Sequence, residues 1–429
     1  MSFFAALGLA AALQSGQVLT LDEALNLGVA NSFKVRVSKV TEEKSRQTVK
    51  AAMASLGFDL VAKSAYTRYF NPIPVFGGGT QKDAKSADLT LSFGVDISRI
   101  SRYTVRAAKF GLDADQAAIL TEVNTLKQQI RAAYYTAVRA KWGVDIRQAA
   151  VQSTQERMRV GEAKKREGVL SQFDLLRIQT DLEKAKAELR NAENTLNIAK
   201  SSLNNALTRD VATPFDLAEI GAYPGAKDDL GDLTKHALTT RPELKTTQAR
   251  IEQLGLQAKI ARRGMLPSMS VALVHQRVID PTPFQRDQNT IGQINFSFPL
   301  HDGGSTKAQV DIALKDQEAA RLRGEELKQL ITYQVQVSLL NLVTAKEQMV
   351  IAEQNLTTAA EARRLADVRF ANGLGVVLDT IQAQESLTAS EAALANAKYQ
   401  YLSAFADLQL ALGDDAYAYQ GASTPEEKK

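Results

Sequence analysis

The chain contains one seven-residue apolar repeat twice, and this duplication restricts its fold more than any other feature. In residues 168–207 a leucine recurs at every seventh position, and an alanine follows each leucine by three positions. The pattern returns in residues 373–412, where twelve of the forty positions are identical to the first copy. A strict heptad repeat makes helices supercoil around their neighbours, and alanine in the seam allows close approach. The sequence therefore predicts a duplicated protein of long helices.

A second apolar seam precedes each of these stretches along the chain. Its apolar positions are separated by alternating steps of three and four, and they run from Ile119 to Val144 and from Ile331 to Leu356. About sixty residues of continuous helix extend for roughly 90 Å, a length seldom found in a soluble globular protein. Glycine ends each of these helices, at Gly168 and Gly373. Each copy is therefore expected to form an antiparallel helix hairpin.

Two segments in each copy have the pattern of β-strands. In residues 87–98 apolar and polar side chains alternate strictly, and residues 293–300 of the expected strand at 290–301 repeat this alternation. A second β-rich segment precedes each of them, at 58–70 and 269–279, across loops rich in proline and glycine. A period of two puts apolar side chains on one face. Such a face suits a sheet on a soluble core, and equally a barrel wall between lipid and water.

The order of these elements divides the chain into two repeats. We expect the first repeat at 17–208, a linker at 209–232, the second repeat at 233–413 and a disordered polar tail at 414–429. Each repeat opens with a helix, at 21–56 and 233–266, and ends with a helix hairpin, at about 104–208 and 305–412. Prolines are absent between Pro74 and Pro214 and between Pro299 and Pro425. Long helices need this absence, because an interior proline costs about 3 kcal/mol or more.

The N-terminus has the pattern of a secretory signal. An apolar run of eleven residues, 3–13, is followed by polar residues, although no lysine or arginine precedes it. The run is too short to span a bilayer, so we expect a signal peptide at 1–16. No later stretch approaches about 18 uncharged apolar residues, so a membrane could be crossed only by strands.

Composition and motifs give no indication of an enzyme. The chain has no cysteine, which excludes thiol chemistry, and its net charge of +4 is too small to indicate nucleic acid binding. Three scattered histidines, His236, His275 and His301, show no metal-ligand spacing. We therefore expect no catalytic site, no cofactor and no metal site.

Four short motifs, in this order, resemble the TolC family of outer-membrane efflux proteins. Residues 19–25 (LTLDEAL) and 241–244 (RPEL) resemble the openings of that family's two repeats. Residues 265–268 (MLPS) resemble its helix-to-strand junction, and residues 298–304 (FPLHDGG) its strand-to-helix junction. The resemblance covers about residues 19 to 413, and the order and duplication of the elements are its most specific part.

The resemblance implies a homotrimeric outer-membrane channel that extends into the periplasm of a Gram-negative bacterium. Each subunit would give four strands to one shared β-barrel and its helices to an α-helical periplasmic tunnel. The duct would be passive, with a periplasmic adaptor as its direct partner and an inner-membrane pump as an indirect one. Tripartite efflux of drugs or metals and type I secretion of proteins share this scaffold. The physical argument agrees, because four strands cannot close a barrel in lipid.

The resemblance also implies the functional residues of the hairpin turns. In the family these turns bind the adaptor and form the closed periplasmic entrance. Here the expected adaptor-binding tips are Gly168, Val169, Leu170 and Ser171 in the first hairpin and Gly373, Leu374, Gly375 and Val376 in the second. The expected entrance residues are Asp174, Asp379 and Gln382.

Three of these positions depart from the best-known family pattern. Gly375 occupies the position of an arginine that can link subunits, Phe370 that of a tyrosine, and Gln382 that of a second acidic ring. An ionic lock of the familiar kind is therefore not expected. For Asp174 and Asp379 a helix N-cap is an alternative to a gate.

The sequence is also compatible with one alternative function. A non-channel coiled-coil scaffold of the cell envelope would also use long helices and would need no membrane. The amphipathic strands in each repeat favour the channel.

Overall fold

The computed structural model describes residues 18–75, 78–220, 223–226, 229–279, 281–282, 285–414 and 419–420. The expected signal peptide at 1–16 and most of the expected tail lie outside these residues. Among the described residues, none of the helices combines the length and apolar character that are needed to cross a membrane.

Six elements of the first repeat recur in the same order in the second repeat, which confirms the duplicated, mainly helical fold class. The first repeat consists of β1 (Val18–Leu19), α1 (Leu21–Asn31), α2 (Phe33–Ala54), β2 (Phe58–Pro74), β3 (Thr80–Val95), α3 (Ile100–Arg166) and α4 (Gln172–Ala206). After β4 (Asp216–Leu217) and β5 (Gly225–Ala226) come the second-repeat elements α5 (Leu230–Thr240), α6 (Pro242–Arg262), β6 (Ser268–Val278), β7 (Gln288–Ser297), α7 (Ser305–Ala371) and α8 (Val377–Leu412), and finally β8 (Tyr419–Gln420).

The opening helix of each repeat is broken in two, where the sequence predicts one continuous helix. In the first repeat the Ser32 hydroxyl accepts a hydrogen bond from the Val35 amide at 3.4 Å, as a cap does at a new helix start. In the second repeat Pro242 is the first residue of α6, a position where its missing N–H costs nothing. The apolar pattern continues across both breaks, which is why it did not predict them.

The strands are longer than the alternation indicates or are displaced from it. β3 begins at Thr80, seven residues before the expected start, because its polar first half pairs with β2 through the backbone. β7 ends at Ser297 instead of residue 301. Apolar alternation therefore detects the amphipathic part of a strand, whereas backbone pairing sets its ends.

The chain divides into two compact units. One unit contains residues 1–37, 120–242 and 328–429, and the other contains residues 38–119 and 243–327. The core of the first unit is built from the seam of α3, the end of α4 and the first residues of the repeat. Within it Tyr134 donates a hydrogen bond from its hydroxyl to the Leu19 carbonyl at 3.0 Å. Burial raises the pKa of that hydroxyl to about 12, so it remains a donor at neutral pH.

The second unit holds a four-stranded antiparallel sheet with the order β2-β3-β6-β7. The register is continuous from β3 to β7, and a bulge interrupts β2 between Arg68 and Ile73. The two strand pairs of the two repeats therefore lie side by side in one sheet.

The expected irregular linker contains short strands that attach it to other segments. β4 pairs in parallel with β1, and β5 pairs antiparallel with β8, inside the segment expected to be a disordered tail. Lys200 and Lys141 donate to the carbonyls of Phe215 and Leu217 at 2.9 and 3.0 Å. The linker is thus fixed by backbone and lysine hydrogen bonds, which local sequence does not reveal.

Arg241, at the break between α5 and α6, holds the end of α8. It is 6 % exposed, and it donates to the Leu410 carbonyl at 3.0 Å and to Gln334 at 2.7 Å. The Leu410 carbonyl also accepts a hydrogen bond from the Gly413 amide at 3.1 Å, so Arg241 adds a second donor to the C-terminal end of α8. Gly413 follows α8 with φ 70° and lies against the Arg241 side chain, where a Cβ would come within 3.1 Å.

We predict that Arg241→Ala lowers the free energy of unfolding by about 2–3 kcal/mol, because it removes two charge-assisted hydrogen bonds from a buried site. Thermal unfolding of the detergent-extracted protein, followed by circular dichroism, measures the change. The control is Arg262→Ala, at an exposed arginine at the end of α6. Equal unfolding midpoints for the two variants would contradict the assigned role.

Candidate functional site

One face of the four-stranded sheet is apolar and exposed along complete rows of paired residues. One row consists of Phe58, Phe93, Val271 and Ile294, which are neighbours in register and are all exposed. The next row on this face has leucine on three strands, at 60, 91 and 273, again exposed. A contiguous exposed apolar surface of this kind marks contact with another molecule or with lipid.

The opposite face of the same sheet is more polar. One row there carries Lys63, Asp88, Gln276 and Asn289 as register neighbours. β2 and β7 are the outer strands, and in the described part of the chain no other strand pairs with their outer edges. An exposed edge presents unpaired N–H and C=O groups and so recruits another strand.

The two hairpin turns form the second candidate surface, which lies in the first unit. Gly168 and Gly373 both have φ 75°, the left-handed conformation that ends a helix. Beside them Val169, Leu374 and Val376 are 67, 74 and 61 % exposed, as the resemblance requires of residues that contact a partner.

Leu170 does not belong to this exposed surface. Its side chain is half-buried and packs against Ile178, Phe370, Val377 and Ile381, which form a small core near the turns. The sequence cannot separate Leu170 from Val169, because adjacent apolar residues in a turn differ only in tertiary contacts.

Two apolar residues of this surface were missed by the sequence analysis. Phe173 and Leu176, in the first two turns of α4, are 71 and 51 % exposed. The seam of α4 continues backwards from Leu182 to Leu175, so both residues lie outside it. An apolar residue off the seam at a helix start is the signal that could have revealed them.

Asp174 and Asp379 are not helix N-caps, which corrects that alternative. Ser171 is the cap of α4, and its hydroxyl accepts from the Asp174 amide at 3.0 Å and donates to the Asp174 carboxylate at 2.6 Å. α8 begins after Val376, which has no side-chain cap, and Asp379 lies exposed in the first turn. Gln382 is exposed on the following turn. The positive end of the helix dipole favours both carboxylates.

A lysine joins the two hairpins near their turns. The Lys164 ammonium donates to the carbonyl of Phe370 and, at 3.2 Å, to that of Ala371, and it lies 4.5 Å from the centre of the Phe370 ring. It thereby binds the last two carbonyls of α7, of which that of Phe370 also accepts from the Gly373 amide at 3.2 Å. The sequence did not indicate this contact, because the two residues are 206 positions apart.

The surroundings of Gly375 leave little space for a side chain at this position. A Cβ built there would lie 3.2 Å from the Phe370 nitrogen and from the Cβ of Arg369. A larger side chain at this position would therefore require the end of α7 to shift. The tight geometry of the turn therefore favours glycine at position 375.

Comparison with known proteins gives the family of the chain. A family model described as "Outer membrane efflux protein" matches residues 24–209 and 233–414, which correspond to the two repeats. The chain belongs to the outer membrane efflux protein family, which includes TolC. The resemblance inferred from the sequence is thereby confirmed.

Individual relatives are distant. Nodulation protein T of Rhizobium leguminosarum bv. trifolii is 21 % identical over 340 residues, which cover 77 % of this chain and 72 % of that protein. Outer membrane protein TolC of Salmonella enteritidis is 28 % identical over 190 residues, 40 % of this chain and 37 % of that protein. The crystal structure of VceC from Vibrio cholerae matches with a TM-score of 0.77 at 18 % identity, over 92 % of this chain and 96 % of that one. At this identity the structural match shows the fold alone.

The family assignment decides between the two functions that the sequence left open. The protein is an outer-membrane channel component of an efflux system, and it extends from the outer membrane into the periplasm. The non-channel scaffold is not supported.

Proposed function

We propose that three copies of this chain assemble into one passive exit duct, with a shared twelve-stranded β-barrel and a common helical tunnel. The observation that carries the proposal is the four-stranded sheet, with its exposed apolar face and its two open edges. In lipid every backbone group must be paired internally, and a closed barrel needs about eight strands or more. A second and a third copy would pair the outer edges of β2 and β7.

The long helices support assembly independently. α7 carries a second apolar row, outside its buried seam, in which Tyr333 and Leu340 are seven residues apart, as are Val343 and Val350. All four side chains are more than 40 % exposed in the single chain. Heptad spacing is the pattern that packs one helix against another. Side-by-side copies would bury this row.

The duct performs no chemistry in this proposal. An inner-membrane pump would supply the energy, and a periplasmic adaptor would connect the pump to the hairpin turns. The exposed apolar residues Val169, Phe173, Leu374 and Val376 are the proposed adaptor contact. The partner pump would select the cargo, whether drugs, metals or a secreted protein.

We predict that the detergent-extracted protein has the mass of a trimer, because one chain leaves its strand edges unpaired. Light scattering or native mass spectrometry measures the mass. A folded, stable monomer would contradict the barrel.

We predict that Val169→Glu and Leu374→Glu reduce export by about tenfold or more, because each puts a charge into an apolar contact. Gln172→Glu is the matched control, since it adds the same charge at an exposed position of the same turn. Export assays, adaptor pull-down and membrane yield are measured together. Unchanged export in the two apolar-site variants, at normal yield, would refute the adaptor contact.

We predict that Asp379 makes the entrance cation-selective. Trimerisation would bring three copies each of Asp174 and Asp379 to the periplasmic end, and a ring of carboxylates favours cations in a pore. Asp379→Asn should lower the cation-to-anion permeability ratio on the order of twofold and weaken block by divalent cations. Asp174→Asn should have a smaller effect, because Ser171 already binds that carboxylate. Single-channel recordings with identical selectivity and block in all three proteins would remove this gate.

A further inference from the structure

The apolar face of the four-stranded sheet ends in basic residues on the side of the strand turns. Beyond Leu89, the last leucine of β3 on this face, the same face carries Arg277 on β6, Lys85 on β3 and Arg68 on β2. All three side chains are exposed. We name these three residues the cationic rim.

The register makes the three basic residues diagonal neighbours. Lys85 pairs with Tyr66 of β2, two residues before Arg68. On its other side the Lys85 carbonyl accepts a hydrogen bond from the Ile279 amide at 2.9 Å, two residues after Arg277. Diagonal neighbours on antiparallel strands are about 7–8 Å apart, a separation that long side chains bridge. The three side chains can therefore converge on one anionic group.

The carboxylate of this region does not neutralise the cationic rim. Asp83 lies opposite Arg68 in register, but it accepts a hydrogen bond from the Tyr66 hydroxyl at 2.8 Å. Within the part of the chain that the structure describes, neither Arg68 nor Arg277 forms an ion pair. An anion from outside the chain would therefore find two guanidinium groups without a carboxylate partner.

The opposite end of the same face is apolar to the end of the strands. The last row there consists of Val95, Met269 and Phe296. At this end β2 follows α2 and β3 precedes α3, so the strand turns lie at the other end of the sheet. Since the helices of the protein extend into the periplasm, the cationic rim lies on the side of the outward-facing leaflet.

The spacing of the rows places the cationic rim in a headgroup layer. The row of Leu89 is the first that mixes apolar and polar side chains, because His275 is its partner on β6. With a rise of about 3.4 Å per residue and a tilt of about 40°, Arg277 and Lys85 lie about 5 and 10 Å beyond that row along the membrane normal. The headgroup region is about 5–7 Å deep. Long cationic side chains reach into such a layer with their charged ends.

We propose that the cationic rim binds phosphate groups of lipid headgroups in the outward-facing leaflet of the outer membrane. Guanidinium and ammonium groups bind phosphate through charge-assisted hydrogen bonds, and arginine forms two such bonds in parallel. The proposal rests on the sheet being a lipid-facing wall of the proposed channel. The adjoining apolar rows favour a lipid over a soluble phosphate, because one lipid molecule contacts both surfaces.

Lipid binding by the detergent-extracted protein tests the proposal. The probes are lipid A, a phosphorylated glycolipid, and phosphatidylcholine, which is zwitterionic, and native mass spectrometry measures the fraction of protein that retains each lipid. The variant is Lys85→Gln with Arg277→Gln. The matched control is Lys63→Gln with Lys82→Gln, which removes the same charge from exposed positions on the opposite face of the sheet.

The wild type and the control are expected to bind lipid A more tightly than phosphatidylcholine. The rim variant should bind lipid A about tenfold more weakly than the wild type, because two exposed ion pairs with phosphate are lost. Equal lipid A binding by the rim variant and the control, whether both keep it or both lose it, would overturn the proposal. The rim would then contribute nothing beyond the net charge or the apolar face.

Two measurements on the wild type need no substitution. Added salt screens exposed charges, so lipid A binding should weaken with salt while phosphatidylcholine binding does not. Lipid A binding that is independent of salt would contradict a phosphate contact. Inorganic phosphate at the concentration of lipid A should leave the lipid bound, and its displacement would show a site for the soluble anion and overturn the lipid assignment.

The same spectra separate this proposal from that of the channel. A trimer in which the rim variant and the control bind lipid A equally would overturn the lipid site alone. A folded monomer in which the two variants still differ would contradict the shared barrel and support the lipid site.

Discussion

The structure depends on cationic side chains that donate to backbone carbonyls of another segment. Lys164 binds the end of α7, and Arg241 binds the end of α8. Lys141 and Lys200 bind the linker, and Arg263 binds the Ser98 carbonyl between a strand and a helix. The last four carbonyls of a helix have no partner within the helix itself. A long flexible cation can reach such a carbonyl from a neighbouring segment, so the same bond satisfies the helix end and fixes the neighbour.

Much of the fold could be predicted from periodicity, because the two periods are long and regular. The heptad repeats predicted the helix hairpins, and the alternation of apolar and polar residues predicted the amphipathic halves of the strands. The breaks in the opening helices could not be predicted, since the apolar pattern runs through Ser32 and Arg241 unchanged. The contacts that join the two hairpins could not be predicted from the sequence either. Arg157 and Thr380 are 223 positions apart, and no local pattern relates a guanidinium group to a carbonyl at that distance.

The candidate site was predicted at the level of the turn and not of the side chain. Gly168 and Gly373 marked the positions of the two turns in the sequence. Both adopt a left-handed backbone conformation, which glycine reaches easily because it has no Cβ. Which neighbour faces solvent depends on packing, and so Val169 and Leu170 have opposite environments.

The two turns also differ in chemistry although they come from one duplicated unit. Ser171 caps α4, whereas α8 begins after Val376, which provides no side-chain cap, and its start is held by the burial of Val377 and Ile381.

The equal lengths of α3 and α7 limit how the chain can evolve. Each has 67 residues, and the end of α7 is bound by Lys164 near the end of α3. Deleting seven residues from one helix alone would shift its turn by about 10 Å and separate these partners. Deleting another number would also rotate the apolar seam away from its neighbour. Insertions and deletions that preserve both the seam and the contact at the helix ends are therefore whole heptads, made in both repeats and in both arms of each hairpin. Because the protein arose by duplication of one hairpin unit, the lengths of its four hairpin helices, α3, α4, α7 and α8, depend on one another.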